Sequence, residues 1–210
     1  MKVLITLGPT QEPIDPIRHI TNPSSGKMGL AVVKEGIDRG HDITVVLGPV
    51  QIPMPGEVKV YRVRTAQEMT NRVLNELKEN YDIFICTAAI ADYTPVKAEY
   101  KIKSGKKELV LMLKPTRKLT REAKEKFPDL FVVGFKAEHD VGGDELVKIA
   151  REKLTRENLD LIIANDVSRN GFGSDENEVF IVGRDDSEHV PRNTKDAVAE
   201  KIWDAIENLI

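Results

Sequence analysis

Short apolar runs alternate with stretches whose apolar residues recur every three to four positions. Val3–Leu7, Ile43–Leu47, Val58–Val63, Ile83–Thr87, Phe131–Phe135 and Leu161–Ala164 are strand-length and rich in β-branched residues. Between the third and fourth, Thr65-Ala66-Gln67-Glu68 has the form of a capping box, with Met69, Val73, Leu74 and Leu77 following at helical spacing. Further helices are predicted from Ser24 or Ser25 to Gly40, from Asp144 to Arg156, and from Thr194 to Leu209. In the last, Val198, Ile202, Ala205, Ile206 and Leu209 share a face. Strand–helix alternation implies βαβ units, hence a doubly wound, Rossmann-like α/β fold with a mainly parallel sheet. A Lys-rich excursion at 94–115, with Gly105 at a turn, and a hairpin at 178–190 around Asp185-Asp186-Ser187 interrupt the alternation. With no repeat or linker, residues 1–210 are expected to form one domain.

Composition narrows the class. The chain is 40% apolar and 31% charged with net charge −3, so no global basic field exists for a nucleic-acid backbone. No apolar run approaches the ~18 residues of a membrane span, and no signal segment opens the sequence, so a cytoplasmic location is expected. The single cysteine, Cys86, excludes an internal disulfide framework and a cysteine-rich zinc site. It lies within a strand pattern and reads as a small core residue. His19, His41, His139 and His189 show no metal-ligand spacing.

In an open α/β sheet, ligands bind beyond the carboxyl ends of the strands, where strand order reverses. After the first strand come Gly8-Pro9-Thr10 and then Asn22 to Gly29, where small residues at a helix start let backbone N–H groups approach phosphate oxygens and Lys27 adds charge. Neither GxGxxG nor GxxxxGK[ST] is present. Ala88 to Tyr93 follow the fourth strand; their alanines permit close approach, and Asp92 suits a hydroxyl, an amide, a magnesium ion or a turn. Lys97, Lys101, Lys103, Lys106 and Lys107 form either a solvated loop or a lid that neutralises a polyphosphate. Phe135 could stack on a base or be core, and Asn165 fits amide recognition or a turn.

Together these segments resemble the phosphopantothenate–cysteine ligase family. The matching stretches are Gly8-Pro9-Thr10 with Glu12 to Asp15, Arg18 to Gly29 (RHITNPSSGKMG), Ala88 to Tyr93 (AAIADY) and Lys101-Ile102-Lys103. Val132 to Glu138 (VVGFKAE), Asn158 to Val167 (NLDLIIANDV) and Gly171 to Asn177 (GFGSDEN) follow in the same order. The resemblance implies a ligase of coenzyme A biosynthesis. Such an enzyme activates 4′-phosphopantothenate with a nucleoside triphosphate and magnesium, releases pyrophosphate, and transfers the acyl group from an acyl-nucleotide to the cysteine amine.

It further implies that Gly8, Ser24, Gly26 and Gly29 cradle the nucleotide phosphates, and that Asn22 holds the acyl intermediate. Ala88, Ala89 and Asp92 would contact phosphopantothenate or nucleotide, with Phe135, Lys153 and Asn165 contacting the nucleotide. Lys101 aligns with the family's catalytic lysine, and Arg18 with an arginine that enters the neighbouring subunit's site, which implies a homodimer. No metal ligands are assigned. CTP is the expected co-substrate, as in bacterial members, with ATP the alternative.

The family pattern is altered at four places: Lys101-Ile102-Lys103-Ser104 replaces Lys-x-Lys-Lys, Pro115-Thr116-Arg117-Lys118 replaces Asn-Pro-Asp-Ile, and Glu157 stands where bacterial members carry a second nucleotide-binding lysine. Lys136 also replaces the alanine after Gly-Phe. The flavin-dependent decarboxylase often fused ahead of this ligase is missing from the sequence, so decarboxylation is not expected. The competing readings are an NAD(P)-dependent oxidoreductase, disfavoured by the missing glycine fingerprint, and a non-catalytic nucleotide-binding module, which rests on fold analogy.

Overall fold

The structure, a computed structural model, describes residues 1–105, 107–170 and 173–210, with backbone only at 169 and 170. Lys106 of the Lys-rich excursion and Gly171-Phe172 of the GFGSDEN stretch lie outside the described residues. In chain order the elements are β1 (Lys2–Leu7), β2 (Gln11–Pro13), β3 (His19–Thr21), α1 (Lys27–Asp38), β4 (Asp42–Leu47), β5 (Lys59–Arg62) and α2 (Ala66–Glu76). They continue with β6 (Ile83–Cys86), β7 (Tyr93–Pro95), β8 (Leu113–Pro115), α3 (Leu119–Lys126), β9 (Phe131–Glu138) and α4 (Gly143–Glu157). The last are β10 (Leu161–Asp166), α5 (Val167–Asn170), β11 (Glu176–Val182), β12 (Ser187–Thr194) and α6 (Lys195–Glu207).

One eight-stranded sheet runs β12-β11-β10-β9-β6-β1-β4-β5. From β5 to β10 all neighbours are parallel, and the β11–β12 hairpin extends the β10 edge antiparallel. The parallel part has the doubly wound Rossmann order, and the order reverses between β1 and β6, which leaves a crevice at their carboxyl ends. This is the expected fold, with both interruptions found as antiparallel pairs: the hairpin, and β7–β8 closing the base of the excursion.

Strand alternation divides the core. In β1, Val3, Ile5 and Leu7 pack with Val32, Ile202 and Trp203 beneath α1 and α6, while Leu4 faces Met69, Val73 and Leu154 beneath α2 and α4. The Trp203 indole N–H donates to the Val32 carbonyl at 2.9 Å, tying α6 to α1.

Two helix limits differ from the sequence expectation. α1 begins at Lys27 because Gly26, at φ +75°, is its cap, and residues 24 and 25 remain outside. α6 stops at Glu207, so Leu209, 55% exposed, does not join the apolar face. The short strands β2, β3, β7 and β8 and helix α3 were not expected. Each is too short or too polar to carry a periodic apolar signal.

Candidate active site

The crevice at the strand-order reversal opens into a cleft of about 730 Å³. Its first wall is the start of α1. Gly26 takes the left-handed conformation that glycine adopts without strain, and as the capping residue it offers the helix behind it no side-chain acceptor. The first turn carries no acidic residue, so the positive end of the helix dipole faces the cleft unneutralised. Ser24 and Ser25 hydroxyls accept long 3.4 Å bonds from the Gly26 and Lys27 N–H groups. Gly29 permits α1 to lie against the strands, since a Cβ there would stand 2.3 Å from Thr87 Oγ1 and 2.4 Å from Leu7 Cβ.

The second wall is the segment after β6. Pro9 bridges Ala89, the Ala89 N–H donates to the Gly8 carbonyl at 3.0 Å, and the Ala91 N–H donates to Thr10 Oγ1 at 3.0 Å. Asn22 reaches across with its amide nitrogen 3.3 Å from the Ala89 carbonyl. Asp92 accepts from Lys118 Nζ at 2.5 Å, in a segment also held by the Thr116 hydroxyl on the Ala91 carbonyl. Phe135, Lys153 and Asn165 supply the far side, where Lys153 Nζ bonds the Phe135 carbonyl at 3.3 Å. Cys86 lies at the floor; burial pushes its thiol pKa up, against a 3.4 Å bond from the Thr6 hydroxyl, so it stays a protonated thiol.

Of the residues anticipated for binding or chemistry, Asn22, Ser24, Gly26, Gly29, Ala88, Ala89, Asp92, Phe135, Lys153 and Asn165 line the cleft. Gly8 sits behind it, at φ +83°, bonding Ala89. Arg18 and Lys101 are not brought there. The Arg18 guanidinium folds onto the buried Asp15 and donates to the Ile102 carbonyl at 2.6 Å, so both residues belong to an outer flap of the β2–β3 and β7–β8 pairs. Within that flap, Arg18 and three backbone N–H groups hold the Asp15 carboxyl well below the usual carboxylate range.

Sequence reasoning missed Arg121 and Lys195 and gave no site role to Thr116 or Asn177, all in the lining. It also read Arg117 and Lys118 only as a break in a familiar pattern, whereas both form cleft wall. A signal existed for Lys195: a lysine at the first position of a helix opposes the dipole, and such local inconsistencies mark functional places. Among the described residues, eight cationic side chains and three carboxylates (Asp92, Glu157, Glu176) line the cleft of a chain whose net charge is −3. Glu157 is itself spent on the Thr120 hydroxyl at 2.6 Å. No group of three or more metal-ligating side chains occurs among the described residues.

Fold and cleft together define a class: a doubly wound α/β protein with a polyanion-attracting crevice at its strand-order reversal. Within that class, the chain belongs to the DNA/pantothenate metabolism flavoprotein C-terminal domain family, whose model matches residues 1–210. It is 44% identical over its whole length to the coenzyme A biosynthesis bifunctional protein CoaBC of Thermococcus kodakarensis, covering 51% of that protein. The chain thus spans about half the length of the curated relatives it matches. Among solved structures, the DNA/pantothenate metabolism flavoprotein from Streptococcus pneumoniae superposes with a TM-score of 0.89 at 29% identity, each chain fully covered. The C-terminal domain of a CoaBC protein superposes with a TM-score of 0.83 at 32% identity, over 99% of this chain and 94% of that one.

Proposed function

We propose that this chain is a single ligase domain that joins 4′-phosphopantothenate to L-cysteine in the cytoplasm, with CTP as co-substrate and ATP as the alternative. The observation that carries the reading is the convergence of an uncapped helix start, an amide, a carboxylate and several ammonium groups in one cationic cleft.

A carboxylate is a poor acyl donor because oxide is a poor leaving group. In the proposed first step a carboxylate oxygen attacks the α-phosphorus, the bond to the β-phosphate bridge breaks, and pyrophosphate leaves. The cysteine nitrogen then attacks the acyl carbon, and nucleoside monophosphate carries away the bonding pair. Both steps gather negative charge on oxygen, which the first N–H groups of α1 and the cleft lysines stabilise without reorganising. Asn22 faces the Ala88–Asp92 segment and holds the acyl group between them. Phe135, Lys153 and Asn165 take the nucleotide side.

The donor set fits magnesium carried on the triphosphate rather than a protein cage, because among the described residues the cleft carboxylates are each engaged: Asp92 with Lys118, Glu157 with Thr120 and Glu176 with Arg192. Such an ion neutralises phosphate charge when bound. Arg18 and Lys101 serve the cleft of a second copy, making the enzyme a homodimer. In support, the flap that bears them leaves Ile17, Tyr100, Val110 and Met112 in solvent.

The test is pyrophosphate release by purified protein with magnesium and 4′-phosphopantothenate, comparing CTP with ATP, with and without cysteine. Release with one nucleotide, sustained only when cysteine is added, is expected and names the nucleotide. Nucleotide binding without release would replace the ligase by a binding module, and nicotinamide binding would favour an oxidoreductase.

A further inference from the structure

Two lysines occupy the position in a helix where a cation is least favoured. Lys27 is the first residue of α1 and Lys195 the first of α6, and each adds its charge to an N-terminus that is already positive. Both line the cleft. Their ammonium groups are held by three consecutive residues: Lys27 Nζ bonds the Gly173 carbonyl at 3.0 Å and Asp175 Oδ1 at 2.6 Å, and Lys195 Nζ bonds the Ser174 carbonyl. Among the described residues Lys195 has no carboxylate at ion-pair distance. Asp175, the carboxylate paired with Lys27, is 87% exposed and therefore screened by water. Burial and the neighbouring Lys27 push the Lys195 pKa down, and Asp175 offsets this only in part.

We propose that Lys195, together with Lys27, forms a phosphate-binding subsite of the cleft, and that a phosphate oxygen replaces the Ser174 carbonyl at its ammonium. This deepens the ligase reading, in which two phosphates are available: the tail of the triphosphate and the phosphomonoester of the acid substrate. A carbonyl is a weaker partner for an ammonium than a dianionic phosphate, so the exchange is favourable, and it relieves repulsion between the two lysines.

Calorimetric binding of inorganic pyrophosphate, which requires no turnover, tests the subsite. Lys195→Gln is expected to weaken binding about ten- to hundredfold and Lys195→Arg to restore most of it, as for loss of one charge-assisted hydrogen bond. Repeating the titration at alkaline pH in two buffers of different ionisation enthalpy should show more proton uptake by the wild type than by the glutamine variant, because the bound anion raises the depressed pKa. In turnover, a raised KM for the nucleotide assigns the subsite to the triphosphate tail, and a raised KM for 4′-phosphopantothenate assigns it to the phosphomonoester. Glutamine and arginine variants that bind pyrophosphate as tightly as wild type, with unchanged proton uptake, overturn the proposal. A wild type that binds pyrophosphate through Lys195 yet forms no product keeps the subsite and removes the ligase reading.

Discussion

A methyl group at Gly29 has nowhere to go: Thr87 Oγ1 and the Leu7 Cβ lie 2.3 and 2.4 Å from where it would be, and the latter is tied directly to the β1 backbone. Gly29→Ala should therefore push α1 off the strands and destabilise the protein by about 1–3 kcal/mol, read from urea unfolding. An equally stable variant would mean that α1 shifts freely. At Asn22 the expectation concerns chemistry rather than packing. Asn22→Asp turns a donor toward the Ala89 carbonyl into an acceptor and, in the proposed reaction, places a negative charge beside the acyl group, so product formation should fall by at least about tenfold with stability retained. Full product formation would count against its role. Both residues were singled out through the resemblance of Arg18 to Gly29 to the ligase family, beside the local signal of small residues at a helix start. Lys195 carried only the signal of a cation at a helix start, because what brings it to the cleft is the path of the β11–β12 hairpin, set by pairing with β10.

Among the elements, α2 illustrates how far a local rule reaches. Thr65 Oγ1 accepts from the Glu68 N–H at 3.1 Å as the capping box demands, but Glu68 returns to the Arg64 N–H at 2.7 Å instead of that of Thr65. The next donor, the Ala66 N–H, is taken at 2.8 Å by the buried Glu12, a residue 54 positions away. Thr65→Ala should cost about 1 kcal/mol in chemical denaturation. The flap behaves differently. Its two strand pairs are only three residues long each and are joined through Asp15, Arg18 and the Ile102 backbone. Arg18→Gln removes that link, so limited proteolysis near 97–112 should accelerate while the melting of the main sheet is unchanged. An unaltered cleavage rate would show that the Asp15 backbone bonds suffice.

For the molecule as a whole, acid tests where the sheet edges are fastened. Asp166, at the end of β10, accepts from the Asp140, Val141 and Ser168 N–H groups at 2.8–3.0 Å, and bonding by Ser168 and these N–H groups holds its pKa below the ordinary 3.8. A carboxyl depressed on folding stabilises the folded state above its unfolded pKa, and that contribution fades as pH falls through the folded value. Stability should thus drop below about pH 4 in the wild type. Asp166→Asn should be less stable at pH 7 and lose less on acidification, which urea midpoints across pH will reveal. Parallel loss in both proteins would place the acid sensitivity elsewhere, for example at Asp15.

What the sequence by itself determined was the alternation of strands and helices, and with it the doubly wound sheet and the carboxyl edge where ligands belong. Periodicity is a local property, and buried parallel strands write it strongly: β1, β4 and β6 are apolar almost throughout because both faces are covered. Tertiary structure alone decided which charges meet. The cleft draws its cations from α1, α3, α4, α6, β9 and the segment before α3, and no single stretch among them announces a site. It also decided that Arg18 and Lys101 stand on an outer flap, away from the cleft of their own chain. Electrostatics acts through space across distant segments, whereas the hydrophobic pattern acts along the chain, and only the second can be read in one dimension.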